Sequence, residues 1–438
     1  MAETTLVWLR SDLRVADNPA LAAALRTGGT VVAVHIEETD ASLRRRGAAS
    51  RWWLHHSLGT LAKDLAALGV KLETLTGDAE ATLFERIAAH GASRVVWNRR
   101  YGPAEREIDG AIKTRLGRDG VAAESFAGNV LVEPFDIATK TGGPYGVYTP
   151  FWNSLRGRSI AAPSPAPKPA GKPFRPESVD TAYVAPSWSR KLVPHWSIGE
   201  AAAVERLSEF FDRIEGYPEG RDFPARDATS RLSPHLAFGE ISARQIWHAA
   251  EMLAQRKPQR AKAVERFLME LAWRDFNIHQ LYHRPDIATV PMQAKFADLE
   301  WRDSPSDLRA WQRGETGMPI VDAGMRELWE TGFMQNRVRM LTASFLTKNL
   351  LLDWRLGEQW FWDCLVDADP ANNSGNWQWV AGCGTDAAPY FRIFSPLLQA
   401  EKFDPGGSYV RRWAPEPRSP IVDLKLSRER ALAAYRAL

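Results

Sequence analysis

The stretch Asp367–Trp379, reading DADPANNSGNWQW, gathers chemistry that a packed core avoids: two carboxylates two residues apart, an Asn pair, and two indoles separated by one residue. Buried carboxylates and amides cost free energy unless something hydrogen-bonds to them. So dense a polar run among tryptophans points to a large ligand with both polar and aromatic parts. Nine of the 18 Trp lie between Trp273 and Trp379, which makes that ligand's surroundings rich in indoles. Asp367 and Asp369 can serve in three ways: as oxygen ligands for Mg²⁺, as acceptors for ribityl or ribose hydroxyls, or as partners of Arg339. No phosphate-transfer motif accompanies them, and no metal is assigned.

Three further constellations could contribute. Glu270, Trp273, Arg274 and Asn277 fall at i, i+3, i+4 and i+7 and share one helix face. A core stripe would carry Leu or Ile there. The face is either a polar binding wall or a solvated, salt-bridged surface, and the second reading wastes the indole. In Thr229-Ser230-Arg231-Leu232-Ser233-Pro234, Ser233 suits an N-cap and Pro234 the first helical position. Hydroxyls, free N–H groups and Arg231 there make an anion site, or else simply a well-capped helix. Within Gln335–Met340, Asn336 and Met340 are one turn apart on one face, as a binding pair or as core filler.

The elements that must position these groups follow from periodicity. Over the first 135 residues, strand-like runs (Leu6–Leu9, Val31–Ile36, Lys71–Leu75, Val95–Trp97, Val121–Phe126) alternate with helical stretches starting near Asn18, Ala48, Asp78 and Pro103. Such alternation predicts an α/β domain over 1–135 with a parallel five-stranded sheet and flanking helices. No GxGxxG follows any strand, so a dinucleotide fingerprint is absent. Seven of the 28 prolines fall in 161–186, and 136–199 is expected to be a Pro-rich interdomain linker. Beyond it, capping-box residues Ser242 and Gln245 and helical spacing over 262–280 and 322–352 predict an all-α domain over 200–438.

Composition bounds the rest. Hydrophobic residues at 45% and charged residues at 25% of 438 are globular values, and no run of eighteen apolar residues predicts a membrane span. The N-terminus MAETTLVWLR reads as a strand rather than a signal peptide. Cys364 and Cys383 cannot make a disulfide framework, so a reducing cytoplasm is expected. His279 and His283 are four apart but have no adjacent Glu or Cys to complete a zinc site. Lys+Arg against Asp+Glu is 25 to 21 through residue 200 and 31 to 32 after it. Any nucleic-acid binding by the Trp-rich half therefore needs a local arrangement of cations.

The motifs VWLRSDLRVADNPAL, TSRLSPHLAFGEIS, MELAWRDFN, TGMPIVDAGMRELWETGFMQNRVRMLTASFLTKNLL, DADPANNSGNWQWVAGCGTDAAPYFRIFSP and EKFDP, in this order, resemble the photolyase/cryptochrome family over essentially the whole chain. The resemblance implies that the helical domain buries a folded FAD at the foot of a pocket open to DNA. Tyr217, Thr229, Ser230, Arg231, Leu232 and Ser233 would contact the FAD phosphates and ribityl chain. Asp367, Ala368 and Asp369 would hold the flavin side, with Arg339 paired to Asp367 and Asn373 facing flavin N5. Trp377, Trp354 and Trp301 match the family's electron-transfer wire.

The same resemblance puts Trp273 and Trp379 against a flipped-out pyrimidine dimer, Met340 on its apolar edge, and Glu270 and Asn336 on the pyrimidine edges. Arg221, Arg274, Arg337 and Arg392 would contact flanking phosphates. It implies light-driven repair of cyclobutane pyrimidine dimers in UV-damaged DNA, by electron donation from excited FADH⁻, in a monomer. Gln335-Asn336 stands where members that repair (6-4) photoproducts carry a His pair. Pro370 and Ser374-Gly375-Asn376 resemble the class III branch. Glu105 alone fits the folate-antenna pattern, which favours 5,10-methenyltetrahydrofolate over 8-hydroxy-deazaflavin. A signalling cryptochrome is the competing reading; against it stand Asn373 and the 26 residues that follow Arg412, where signalling members often carry a long tail. A flavin-free, Trp-rich nucleic-acid-binding module is a second, and it would be colourless.

Overall fold

The computed structural model describes residues 3–169, 171–176, 179, 181, 183–387 and 391–438; the motif residues 388–390 lie outside them. Five strands, β1 (Thr4–Leu9), β2 (Thr30–Glu38), β3 (Lys71–Gly77), β4 (Ala92–Asn98) and β5 (Ala122–Phe126), form one parallel sheet in the order β3-β2-β1-β4-β5. Both faces are covered, as the apolar strands require. Val7, Leu9, Val31 and Ala33 point into one core, and Leu6, Trp8, Val32 and Val34 into the other. The crossovers are α1 (Pro19–Leu25), α2 (Ala48–Ala67), α3 (Ala79–His90) and α4 (Pro103–Arg118). Asn18 and Asp78 cap α1 and α3 by accepting from Leu21 and Ala81 N–H.

The segment 136–199 is not a plain connector throughout. Tyr148–Arg156 forms α5, and its Tyr148, Phe151, Trp152 and Leu155, at i, i+3, i+4 and i+7, are all buried in the helical core. Pro150 is tolerated because the first-turn N–H groups of a helix have no intrahelical partner. The Pro-dense part, 161–186, contains no helix or strand among its described residues.

The helical half runs α6 (Glu200–Asp212), α7 (Tyr217–Gly220), α8 (Ser233–Ala237), α9 (Ala243–Arg256), α10 (Ala261–His283) and α11 (Pro305–Arg313). It continues through α12 (Pro319–Thr331), α13 (Asn336–Ser344), α14 (Trp354–Cys364), α15 (Pro370–Ala381), α16 (Pro396–Phe403), α17 (Ser408–Trp413) and α18 (Leu424–Arg436). The long helix α10 packs against α5, α9 and α15. Among the described residues, no helix is long and apolar enough to cross a membrane.

Strand order reverses at β1, so the crevice beyond β1 and β4 is where an open sheet of this kind usually takes a ligand. Here the helical half fills it. Arg14, fully buried, donates to the carbonyls of Gly128 (2.6 Å) and Gly239 (2.9 Å). Asp17 accepts from Arg244 (2.9 Å) and Ser242 (2.5 Å), and Leu13 N–H donates to Phe238 O at 3.0 Å. A Cβ on Gly239 (φ +68°) would lie 2.2 Å from Ser11 O, so only glycine lets the halves approach this closely. Buried charges need partners: Asp17 pairs with Arg244, and Arg14 directs its donors to backbone carbonyls.

Candidate active-site cavity

A cavity of about 510 Å³ opens between α7, α8, α10, α13 and α15. Helix α10 contributes Glu270, Trp273, Arg274 and Asn277, the four positions of one face. Trp273 stacks flat on Tyr148 of α5, with centroids 3.8 Å apart and planes 7° apart, so one ring face is fixed by the protein. Glu270 pairs with Arg221 and, at 3.2 Å, with Arg266. From α13, Asn336 and Met340 line the mouth, with Asn336 Nδ2 4.0 Å from Met340 Sδ. Trp379 completes this part, its indole N–H donating to Asp386 O at 3.0 Å.

Deeper, Asp367 organises the polar side. Its Oδ2 accepts from Ser233 Oγ at 2.6 Å and from Arg339 Nη2 at 2.8 Å. Ser233 opens α8 but does not cap it; its hydroxyl turns to Asp367 instead. Asp369 is the N-cap of α15, accepting from Ala371 and Asn372 N–H at 3.0 and 2.8 Å, with Pro370 at the first helical position. That cap aims Asn372, Asn373, Asn376 and Trp377 at the cavity from one face of α15. Asn277 donates to Asn372 Oδ1 at 2.9 Å and ties α10 to α15. Both carboxylates thus have protein donors. Among the described residues, no group of three or more His, Cys, Asp or Glu is placed to hold a metal ion.

Tyr217, Ser230, Leu232, Ala368 and Arg337 also line the cavity. Thr229 and Arg231 do not. Arg231 adopts a left-handed backbone (φ +51°), and its guanidinium lies over Trp196 (4.6 Å) and Phe333 (5.1 Å), a packing role rather than a phosphate contact. Of the cations expected on phosphates, Arg221 is turned inward onto Glu270, and Arg274 donates to Asn129 O at 2.7 Å. Arg337 meets Asp222 at 2.8 Å, and Arg392 lies near the Phe394 ring, outside the lining. Phe361 and Arg266 line the cavity without having stood out in the sequence, and Asn376, marked only by its class III resemblance, lines it too.

Trp377 is the indole on the cavity floor, edge-on to Phe361 (4.9 Å) and to Trp311 (6.1 Å). Trp354 is buried on α14, and Trp301 is half-buried against the same core. Trp311, a fully buried neighbour of Trp377, carried no distinguishing signal in the sequence.

Two family signatures match: "DNA photolyase" over residues 5–170 and "FAD binding domain of DNA photolyase" over 267–419. The deoxyribodipyrimidine photo-lyase of Agrobacterium fabrum is 46% identical, with 99% of this chain and 98% of that protein covered. The chain belongs to the photolyase/cryptochrome family. Its fold superposes on the crystal structure of a bacterial class III photolyase from Agrobacterium tumefaciens with a TM-score of 0.94 at 45% identity, covering 100% of this chain and 98% of the other. A Synechocystis cryptochrome gives 0.88 at 28%, covering 99% of each.

The cavity residues fit the flavin cofactor of this photolyase fold. Asp367 Oδ1 is buried with no partner, an acceptor that a bound donor would satisfy. A second cavity, of about 610 Å³, sits at the carboxyl ends of β2 and β3. Glu37, Glu38, Arg45, Arg46 and Arg51 line it together with Tyr183 and Trp188. Burial and the positive charges of Arg46 and Arg10 lower the pKa of its His35 to about 3. Glu105 is not part of it; this residue sits in the first turn of α4, its carboxylate folded back over Gly102.

Proposed function

We propose that this photolyase-family chain repairs cyclobutane pyrimidine dimers in UV-damaged DNA under blue light. One arrangement carries the reading: a flat indole, a thioether, an amide and a carboxylate around the mouth of a cavity whose floor is polar and fits FAD. When bound, reduced and photoexcited, FAD supplies the electron that opens the dimer and takes it back. Asp367, Ser233 and Arg339 hold the flavin side, and Asn373 faces its N5. Trp273, already stacked on Tyr148, offers its other face to a flipped-out pyrimidine pair, with Trp379 and Met340 against the pair's apolar sides. The Glu270 carboxylate and the Asn336 amide hydrogen-bond the base edges. Stacking worth roughly 1–3 kcal/mol per base helps offset the unstacking of a lesion. Arg337 and Arg392 contact flanking phosphates without reading sequence.

Trp377, Trp354 and Trp301 carry electrons from the surface to the flavin. The second cavity suits an antenna pigment: ring-sized, half-open, at the strand ends where such sheets bind ligands. Three guanidiniums there match the glutamate carboxylates of 5,10-methenyltetrahydrofolate; 8-hydroxy-deazaflavin is the alternative.

The test mixes reduced protein with UV-irradiated DNA and assays dimers after blue light and in the dark. Loss only in the light is expected. Unchanged dimers with the flavin intact and reduced would defeat the proposal in favour of a signalling cryptochrome.

A further inference from the structure

Glu358 is a buried carboxylate on α14, and its partners join three parts of the molecule. Its Oε1 accepts from Asn373 Nδ2 at 2.7 Å and from Ser374 Oγ at 3.1 Å. The Glu358 backbone carbonyl takes the same Asn373 amide at 3.0 Å. Its counter-ion comes from 314 positions earlier in the chain: Arg44 Nη1 and Nη2 donate to Oε1 and Oε2 at 2.6 and 2.7 Å. Arg44 lies in the connection between β2 and α2, its guanidinium 4.0 Å over the Trp362 ring. That connection is fastened to α14 twice more, by Trp362 Nε1 donating to Arg45 O (2.8 Å) and Ala48 N–H donating to Asp363 Oδ1 (2.8 Å).

We propose that Arg44, from the α/β half, is a positioning residue for the flavin: by holding both Glu358 oxygens as acceptors it fixes the Asn373 side chain with Oδ1 toward the cavity. The inference rests on the cavity being the FAD site with Asn373 at N5. An ionised carboxylate only accepts hydrogen bonds, so Asn373 must present its NH₂ to Glu358. Its oxygen then faces the other way, into the cavity that Asn373 lines. An oxygen there accepts from a flavin N5–H, which the reduced cofactor has and the oxidised one lacks. Without Arg44, Glu358 is left buried with no counter-ion and loses the two donors that hold its carboxylate in place. Its carboxylate is then free to turn, and it no longer dictates which end of the amide faces the flavin. A bidentate guanidinium is the cation best matched to this task.

Redox titration of the FAD-loaded protein tests it, with the parent, Arg44→Met, and Arg44→Met combined with Glu358→Gln. At a fixed potential, Arg44→Met is expected to lower the ratio of reduced to oxidised flavin about tenfold, the size of one hydrogen bond. For a two-electron couple this is a fall in potential of about 30 mV. The double variant is expected to recover, because a Gln carbonyl accepts from Asn373 and Ser374 without needing a counter-ion. An unchanged potential in flavin-bound Arg44→Met, or a double variant as low as the single one, overturns the role of Arg44 and leaves the reading of the cavity intact. A parent that binds no FAD overturns both. If Arg44→Met does not fold, Arg44→Lys replaces it: a smaller fall is expected, and no fall overturns the proposal.

Discussion

Substituting Gly357 by Ala tests the seat of Trp377 directly, because two effects of opposite sign compete there. Gly357 lies within α14, where Ala in place of Gly ordinarily stabilises by about 1 kcal/mol. A Cβ at this position, however, would lie 2.2 Å from Trp377 Cη2 and 2.5 Å from Leu346 Cδ2, where ordinary contact is 3.4–4 Å. The ring has little room to retreat, since Phe361 and Trp311 meet it edge-on. Overpacking of this kind costs about 1–3 kcal/mol, and overlap of about 1 Å against two side chains belongs at the upper end. The net expectation is a loss of about 2 kcal/mol after the helix-propensity gain. Denaturant midpoints of the flavin-free protein read the stability, and the rate of flavin photoreduction reads the displaced indole. A variant at least as stable as the parent, photoreducing at the parent rate, would show that Trp377 is not wedged against α14.

Three other expectations concern Trp377 itself, Trp273 and pH. Trp377→Phe should slow photoreduction while sparing repair by pre-reduced protein, and equal photoreduction rates would remove Trp377 from the electron path. Trp273→Ala should weaken binding to dimer-containing DNA by about 1–3 kcal/mol, since it removes a stacking face that Tyr148 holds in place; unaltered affinity would take Trp273 out of the lesion cavity. Stability should fall as pH drops below about 6.5. Burial lowers His35 to about 3 and His279 to about 4, so the unfolded chain binds protons that the folded one refuses until those values are reached. His279 Nε2 already accepts from Tyr145 N–H at 3.0 Å and cannot be protonated without losing that bond. Buried Asp275, raised to about 6, opposes this trend between pH 4 and 6. His279→Gln should flatten the denaturant midpoint between pH 7 and 5, and an unchanged slope would refute the assignment.

Much of this architecture is written locally in the chain. Short apolar runs such as Leu6–Leu9, alternating with helical stretches, read as strands covered on both sides, and capping residues mark where α1, α3 and α9 begin. The α10 face was legible because its polar and aromatic groups recur at the helical period, which a solvated surface does not demand of Trp273. Helix α5 was obscured by the prolines after it, although its four buried side chains have helical spacing. The orientation of Ser233 and Arg231 could not be read: a hydroxyl that reaches Asp367 and one that caps a helix look alike in sequence. Glu358 and Arg44 left no trace at all. A carboxylate on an amphipathic helix and an arginine in a basic loop each read as surface charge until the fold brings them together.

The filled crevice beyond β1 and β4 limits how modular the molecule can be. Arg14 and Asp17 hold the Gly239 carbonyl and the Ser242 and Arg244 side chains of the other half, so the α/β portion is scaffolding for the photochemical half whether or not its second cavity is occupied. Changes around Arg45 and Arg51 alone could remodel the second cavity, yet the sheet could not be shed as a detachable cassette. Expressed by itself, the helical portion would present Arg244, and Glu240 now bonded to Trp53, to water without their counterparts.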